Sequence, residues 1–268
     1  MGVSLRTAKS DVTSPTVPVQ HSDGGTHPHT TTAFDSIVQV AYDMAFSKPA
    51  TPPRKKFILS KWANGTGGLK DEDRVLLAQI YGKASSVFEF GLGESTLIAS
   101  HVGVPRYAGI DSDALWVSQS RDAVHPHFRF YLADVGSTGK WGFPNNTNLS
   151  KSVLNYQIAP LLVEPSAFDV YMVDGRMRLA CVIASFLHAS SRGAPHDRTM
   201  VLLHDCKASF EAHELLDRGA RIVYKEADHL LDLVHHSGAK LCAYRRKPNT
   251  TDAAMLKLWL TYSNVMNR

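Results

Sequence analysis

Val87-Phe88-Glu89-Phe90-Gly91-Leu92-Gly93-Glu94-Ser95-Thr96 is the stretch on which the fold turns. A short apolar run ends in a glycine pair, and polar Glu94-Ser95-Thr96 leads into Leu97-Ile98-Ala99. That pattern describes a buried strand that stops, turns tightly and feeds a helix. Gly91 and Gly93 suit such a turn because a residue without Cβ adopts positive φ at little cost and lets a ligand approach the backbone. A ligand lying there would meet unpaired N–H groups at the helix start. By itself the stretch fits an ordinary strand-to-helix loop as well as a binding loop.

The flanking sequence repeats the pattern. From Ser85 onward, strand and helix alternate: strands at Ser86–Phe90, Arg106–Ile110, Phe128–Ala133, Phe168–Val173 and Thr199–Leu203, with helices at Glu94–His101, Ser112–Ala123, Met177–Ser190 and within Ala208–Arg218. Two further strands are predicted at Ala220–Lys225 and Lys240–Arg245, with His229–His236 joining them. Residues 135–167 read as a long, mostly irregular insertion. Apolar strands alternating with helices predict an α/β fold: a doubly wound, mostly parallel seven-stranded sheet with helices on both faces. Ligands of such sheets bind beyond the carboxyl ends of the strands, near the switch point. Here Glu89, Asp111, Asp134, Asp174 and Asp205 fall at those ends. An acid at all five is hard to assign to solubility.

Composition narrows the class. The chain has 268 residues, 44% hydrophobic and 20% charged, which is globular. The formal charge of +4 is spread out, with basic clusters only at 54–56 and 245–247, so no nucleic-acid partner is expected. No apolar run nears the ~20 residues of a membrane span. The N-terminus has no apolar signal core, so a cytoplasmic location is expected. Cys181, Cys206 and Cys242 are odd in number and form no CxxC pair, which argues against a disulfide framework and a zinc ribbon.

Residues 1–33, rich in Ser, Thr, Pro, Gly and His, are expected to be a disordered tail. Residues 34–84 form a helical extension, with helices at Asp35–Phe46 and Asp71–Lys83 around an apolar segment, Phe57–Trp62, and a glycine loop at 64–68. Residues 85–247 are the main domain and 248–268 a C-terminal helix. Its Met255, Leu258, Trp259 and Tyr262 share one face, suited to packing on its own domain or to a homodimer.

Glu89-Phe90-Gly91-Leu92-Gly93, with Asp111 and Asp134, resembles motifs I to III of the class I S-adenosylmethionine-dependent methyltransferases. The fuller pattern, with Ser95-Thr96, Val173-Asp174-Gly175 and His204-Asp205, is similar to a subgroup of small-molecule methyltransferase-like domains. The resemblance implies methyl transfer to an O or N atom of a small molecule. Glu89 would fix the glycine loop near the methionine part of the cofactor, and Gly91 and Gly93 would admit the backbone to it. Ser95 and Thr96 would supply hydroxyls, Asp111 would hold the ribose and Asp134 the adenine amine. Asp113 is a less favourable ribose ligand, since it sits inside the helix.

Catechol-type relatives hold Mg²⁺ with an Asp after the fourth strand and an Asp-Asn pair after the fifth. Asp174 and Asp205 match, but Cys206 stands where the Asn would be, a poor ligand for an ion that prefers oxygen. His204 suits a general base, since imidazole titrates near neutrality, and suits equally a strand-end His bonded to a loop. Arg176 and Arg178 are either anion ligands or solvated first-turn residues. Two alternatives stand beside the methyltransferase. A nicotinamide-dependent oxidoreductase would want a third glycine where Thr96 stands. A domain of this fold that has lost its chemistry is the other.

Overall fold

The computed structural model describes residues 68–137, 150–206 and 226–264. The tail, the 35–46 helix, the 57–62 segment, the helix within 208–218 and the 220–225 strand all lie outside these. β1 (Ser86–Phe90), β2 (Arg106–Asp111), β3 (Arg129–Leu132), β4 (Val170–Val173), β5 (Met200–His204), β6 (Leu231–His236) and β7 (Leu241–Arg246) make one sheet in the order β3-β2-β1-β4-β5-β7-β6. The first five strands are parallel, and β7 runs antiparallel between β5 and β6. The order reverses between β1 and β4, so the crevice of this sheet opens at their carboxyl ends.

Both faces of the sheet are covered, as its apolar strands require. Phe88, Phe90, Tyr171 and Val173 point to the face packed by α4 (Ser150–Gln157), α5 (Ala159–Leu162), α6 (Arg178–Ser191) and α7 (Asp252–Tyr262). Val87, Tyr107, Val170 and Leu202 point to the other, beneath α1 (Asp71–Tyr81), α2 (Glu94–His101) and α3 (Ala114–Ala123). Alternation along β1 therefore splits the core in two, and it puts Glu89 on the α1–α3 side.

Four expectations need correction. Where residues 135–167 read as mostly irregular, 150–162 form two helices, α4 and α5. The 229–236 connection contains a strand, β6, whose LDLVHH sequence buries only Leu231. It is recruited by cross-strand pairing with β7, through a bulge at Leu233/His235, rather than by an apolar face. Glu89 is not at a strand end but inside β1, opposite Gly109 and Met172. Finally, Cys206 and Cys242 form a disulfide, with Cα atoms 5.9 Å apart. An odd count does not exclude one bridge: β7 runs beside β5, and Cys206, just past the end of β5, donates its N–H to the Lys240 carbonyl at 3.1 Å, which brings it near Cys242. Cys181 stays a buried free thiol.

Candidate functional site

The glycine turn takes the predicted shape. Gly91 has φ +87, and a Cβ there would come within 2.8 Å of the Asp174–Gly175 backbone. Only glycine lets the β1 and β4 turns approach so closely. Asp174 N–H donates to the Phe90 carbonyl at 2.8 Å, and Gly91 N–H to Ile110 at 2.8 Å, so the turn is anchored to both neighbouring strands. Over it stands Tyr156 of α4, whose hydroxyl occupies the space a Cβ on Gly175 would need. Sequence reasoning missed this residue. Its surroundings in the 135–167 stretch gave no periodic signal that would have found it.

Glu89 lies beneath the turn, buried. It accepts from the hydroxyls of Ser95, Tyr107 and Thr96, the last at 2.7 Å. Thr96 in turn accepts from Gly93 N–H at 3.0 Å. Burial pushes the Glu89 carboxyl up to about 7, against the pull of the three hydroxyls, with the charge of Asp174 adding to the rise. Ser95 and Thr96 thus direct their hydroxyls inward, away from the crevice, and lock the loop.

Asp111, half-buried at the end of β2, accepts from Leu92 N–H at 2.9 Å and from Asp113 N–H at 2.9 Å. Burial raises it to about 6 against these backbone donors. A carboxylate offers about four lone-pair directions, so two donors leave capacity for a diol. Asp113 is spent as the N-cap of α3, accepting from Leu115 N–H at 2.8 Å. Asp134 is exposed, with one oxygen holding Gly136 N–H at 2.9 Å. The structure therefore places Gly91, Gly93 and Asp111 around one turn and Asp134 two strands from it. Glu89, Ser95 and Thr96 form the layer below.

The remaining predicted residues form a second cluster at the ends of β4 and β5. His204 Nδ1 bonds Asp174 at 2.9 Å, and Arg178 spans Asp174 and Asp205 at 3.1 Å each while also donating to the His204 carbonyl. Lys240 completes the set, 3.1 Å from Asp205. Burial would lower the His204 pKa, but Asp174 and Asp205 raise it above the usual imidazole value. Burial would likewise raise Asp205, yet His204, Arg178 and Lys240 bring it down to about 2. Asp205 also has φ +55, a left-handed backbone uncommon outside glycine. The imidazole is enclosed: Nε2 is buried without a hydrogen-bond partner, 3.9 Å from Asp73 of α1, and Gly68 lies against Cε1. Asp73 itself accepts from Ser237 at 2.6 Å and from the N–H groups of Lys70, Lys240 and Leu241 at 2.9 Å, pinning α1 to the β6–β7 turn.

Asp174, His204 and Asp205 bring three ligand atoms within 4.8 Å of one another. The set does not fit Mg²⁺. It offers two carboxylates and a nitrogen, and the Arg178 guanidinium already bridges the acids as a metal would. Arg178 is thus neither solvated nor free for an anion. Arg176, beside it, has its pKa lowered by burial.

No known family profile matches the chain, and no curated protein matches it. Among solved structures, a methyltransferase-like protein from Silicibacter pomeroyi aligns with a TM-score of 0.58 at 20% identity, over 74% of this chain and 96% of that one. The chain has the class I methyltransferase fold. Cofactor-bound Rv0187 from MTB aligns at 0.42 and 12% identity, over 82% and 94% of the two chains. Magnesium protoporphyrin IX methyltransferase from Synechocystis PCC 6803, with bound SAH, aligns at 0.36 and 11%, over 70% and 94%. Among the described residues, no helix is long and apolar enough to cross a membrane.

Proposed function

We propose that the chain is an S-adenosylmethionine-dependent methyltransferase acting on an oxygen or nitrogen of a small molecule, with residues 85–247 as its catalytic domain. The observation that carries this is the close meeting of the β1 and β4 turns at Gly91 and Gly175, with Asp111 holding the first from the neighbouring strand. It is the crevice where a doubly wound sheet binds a nucleoside. S-adenosylmethionine would bring a sulfonium methyl, open to in-line displacement by a lone pair.

The work of the chain is to hold and to align. Gly91 and Gly93 give the cofactor access to the backbone, Asp111 accepts from the ribose diol, and Asp134 from the adenine amine. Glu89, Ser95 and Thr96 fix the turn from below. Asp174, its side chain 30% exposed, accepts the O–H or N–H hydrogen of the acceptor and so aims the lone pair. His204, bonded to Asp174 from behind, spreads the charge that arrives with the proton. Asp205 holds Arg178 and Lys240 beside the pair.

Calorimetry on the full chain tests the reading. Binding of S-adenosylmethionine on the order of micromolar is expected, with no heat from NAD. Asp111→Ala should weaken it about tenfold or more through loss of charge-assisted bonds. Binding of NAD alone would overturn the assignment, and an unchanged constant for Asp111→Ala would remove that residue from the site.

One observation favours a second reading, a module that binds cofactor without turnover: His204 is enclosed and Arg178 occupies the space between the two acids. Incubation with methyl-labelled S-adenosylmethionine and a small-molecule extract separates the two. Label transfer that is lost in Asp174→Asn supports the enzyme. Tight binding without transfer supports the module.

A further inference from the structure

At the opposite end of the sheet, residues of α1 and of the starts of β4 and β5 line a groove of about 370 Å³. Its lining is unbalanced in charge. Lys83, Arg198, His235 and Arg245 reach it from four separate segments: the turn after α1, the approach to β5, β6 and β7. Asp169 is the acid of the lining, and its Oδ2 is spent on the N–H groups of Ser85 at 2.8 Å and Ser86 at 3.1 Å. Among the described residues, Lys83, Arg198 and Arg245 form no ion pair. Even Asp232, the cross-strand neighbour of Arg245, makes none with it.

Arg245 adds a second sign. Its Nε is buried and lacks a hydrogen-bond acceptor. A buried donor left in that state costs free energy, which an acceptor entering the groove would recover. Leu76 and Ile80 of α1, with Val170, supply an apolar wall along the same groove. The concavity lies in the size range of small-molecule sites, and a contained groove differs from the extended basic stripe that nucleic acid requires.

We propose that this groove binds a small organic anion, with a phosphate or carboxylate head among Lys83, Arg198 and Arg245 and a short apolar body against α1. Arg245 is the anchor, because a guanidinium offers parallel N–H donors to a planar or tetrahedral oxyanion. The site is separate from the β1–β4 crevice and owes nothing to the methyltransferase reading.

The test uses the full chain with methionine methyls labelled for NMR, titrated with n-hexyl phosphate, hexanoate and inorganic phosphate. Met200 lines the groove and reports on it directly. Hexyl phosphate or hexanoate should shift the Met200 methyl in a saturable way, and inorganic phosphate should bind more weakly. Whichever head binds more tightly identifies the native class. Arg198→Gln with Arg245→Gln should weaken binding about tenfold or more, while S-adenosylmethionine affinity stays as in the native chain. If the double variant does not fold, Lys83→Gln, at an exposed position, should weaken it several-fold. A Met200 methyl unmoved by both anions, or variants that bind as the native chain does, would overturn the proposal.

Discussion

Glu89 concentrates more chemistry than any other residue of the β1 turn, although it touches no solvent. Its carboxyl, pushed by burial from 4.5 to about 7, keeps its proton in the folded chain over a range where the unfolded chain has lost it. The folded state therefore binds more protons between those values, and stability from this group falls as pH rises from about 4.5 to about 7. The difference is on the order of 3 kcal/mol, since a tenfold change in proton affinity is worth about 1.4 kcal/mol. Glu89→Gln removes the titration, keeps one acceptor oxygen for either Ser95 or the Thr96 and Tyr107 hydroxyls, and turns an amide N–H₂ donor to the other side. Its denaturation free energy, measured against pH, should lack that decline, and native and variant curves that run parallel would show that Glu89 does not titrate there. The sequence disclosed this residue but set it among the strand-end acids, whereas it lies inside β1. The E-F-G-x-G pattern reads as an acid next to a glycine turn, whereas strand alternation points Glu89 into the α1–α3 core and its neighbour Phe90 into the other. Ser95 and Thr96 were legible as helix-start hydroxyls, and only the three-dimensional position of Glu89 shows which way they turn.

Among the elements, those with a strong apolar period were legible nearly to the residue: β1 and α2 have the predicted bounds, and β2, β5 and α6 shift by a residue or two. β7 was legible within a residue, but its partner β6 was not, because an edge strand paired on one side needs no apolar face. Its exposed Asp232, His235 and His236 are of the kind that discourage further pairing. The disulfide ties the β6–β7 hairpin to the end of β5. It joins the residue after Asp205 to the second residue of β7, closing a loop between Cys206 and Cys242. Restricting the unfolded chain in this way is worth about 2–4 kcal/mol. Under denaturing conditions the native protein should show one reactive thiol, Cys181, and three after reduction. Cys206→Ser with Cys242→Ser should lower the free energy of unfolding by about that amount. Three thiols without reductant would dissolve the bridge.

The whole molecule is held together by contacts that no single motif announces. α7 packs on α6 through Met255, Leu258, Trp259 and Tyr262, a face suited first to its own domain and second to another copy of the chain. Leu256 and Leu260 are left exposed on the other side. Trp259 Nε1 donates to Gln157 at 2.9 Å, and Gln157 donates to the Ser263 carbonyl at 2.6 Å, so the C-terminal helix is tied to α4, the helix that carries Tyr156 over the glycine turn. Sequence could not show this, because the partners stand 102 residues apart and Gln157 lies in a stretch with no readable period. The tie makes the β1–β4 crevice depend on α7. Trp259→Phe keeps most of the packing and leaves Gln157 with a buried, unpaired oxygen, which costs about 1–3 kcal/mol. Unfolding should show that loss, and S-adenosylmethionine affinity should weaken with it as α4 loosens, while the sedimentation coefficient stays the same. A variant that changes its mass in solution but not its stability would mean that this face serves an interface between copies, and that Tyr156 is held in place by other means.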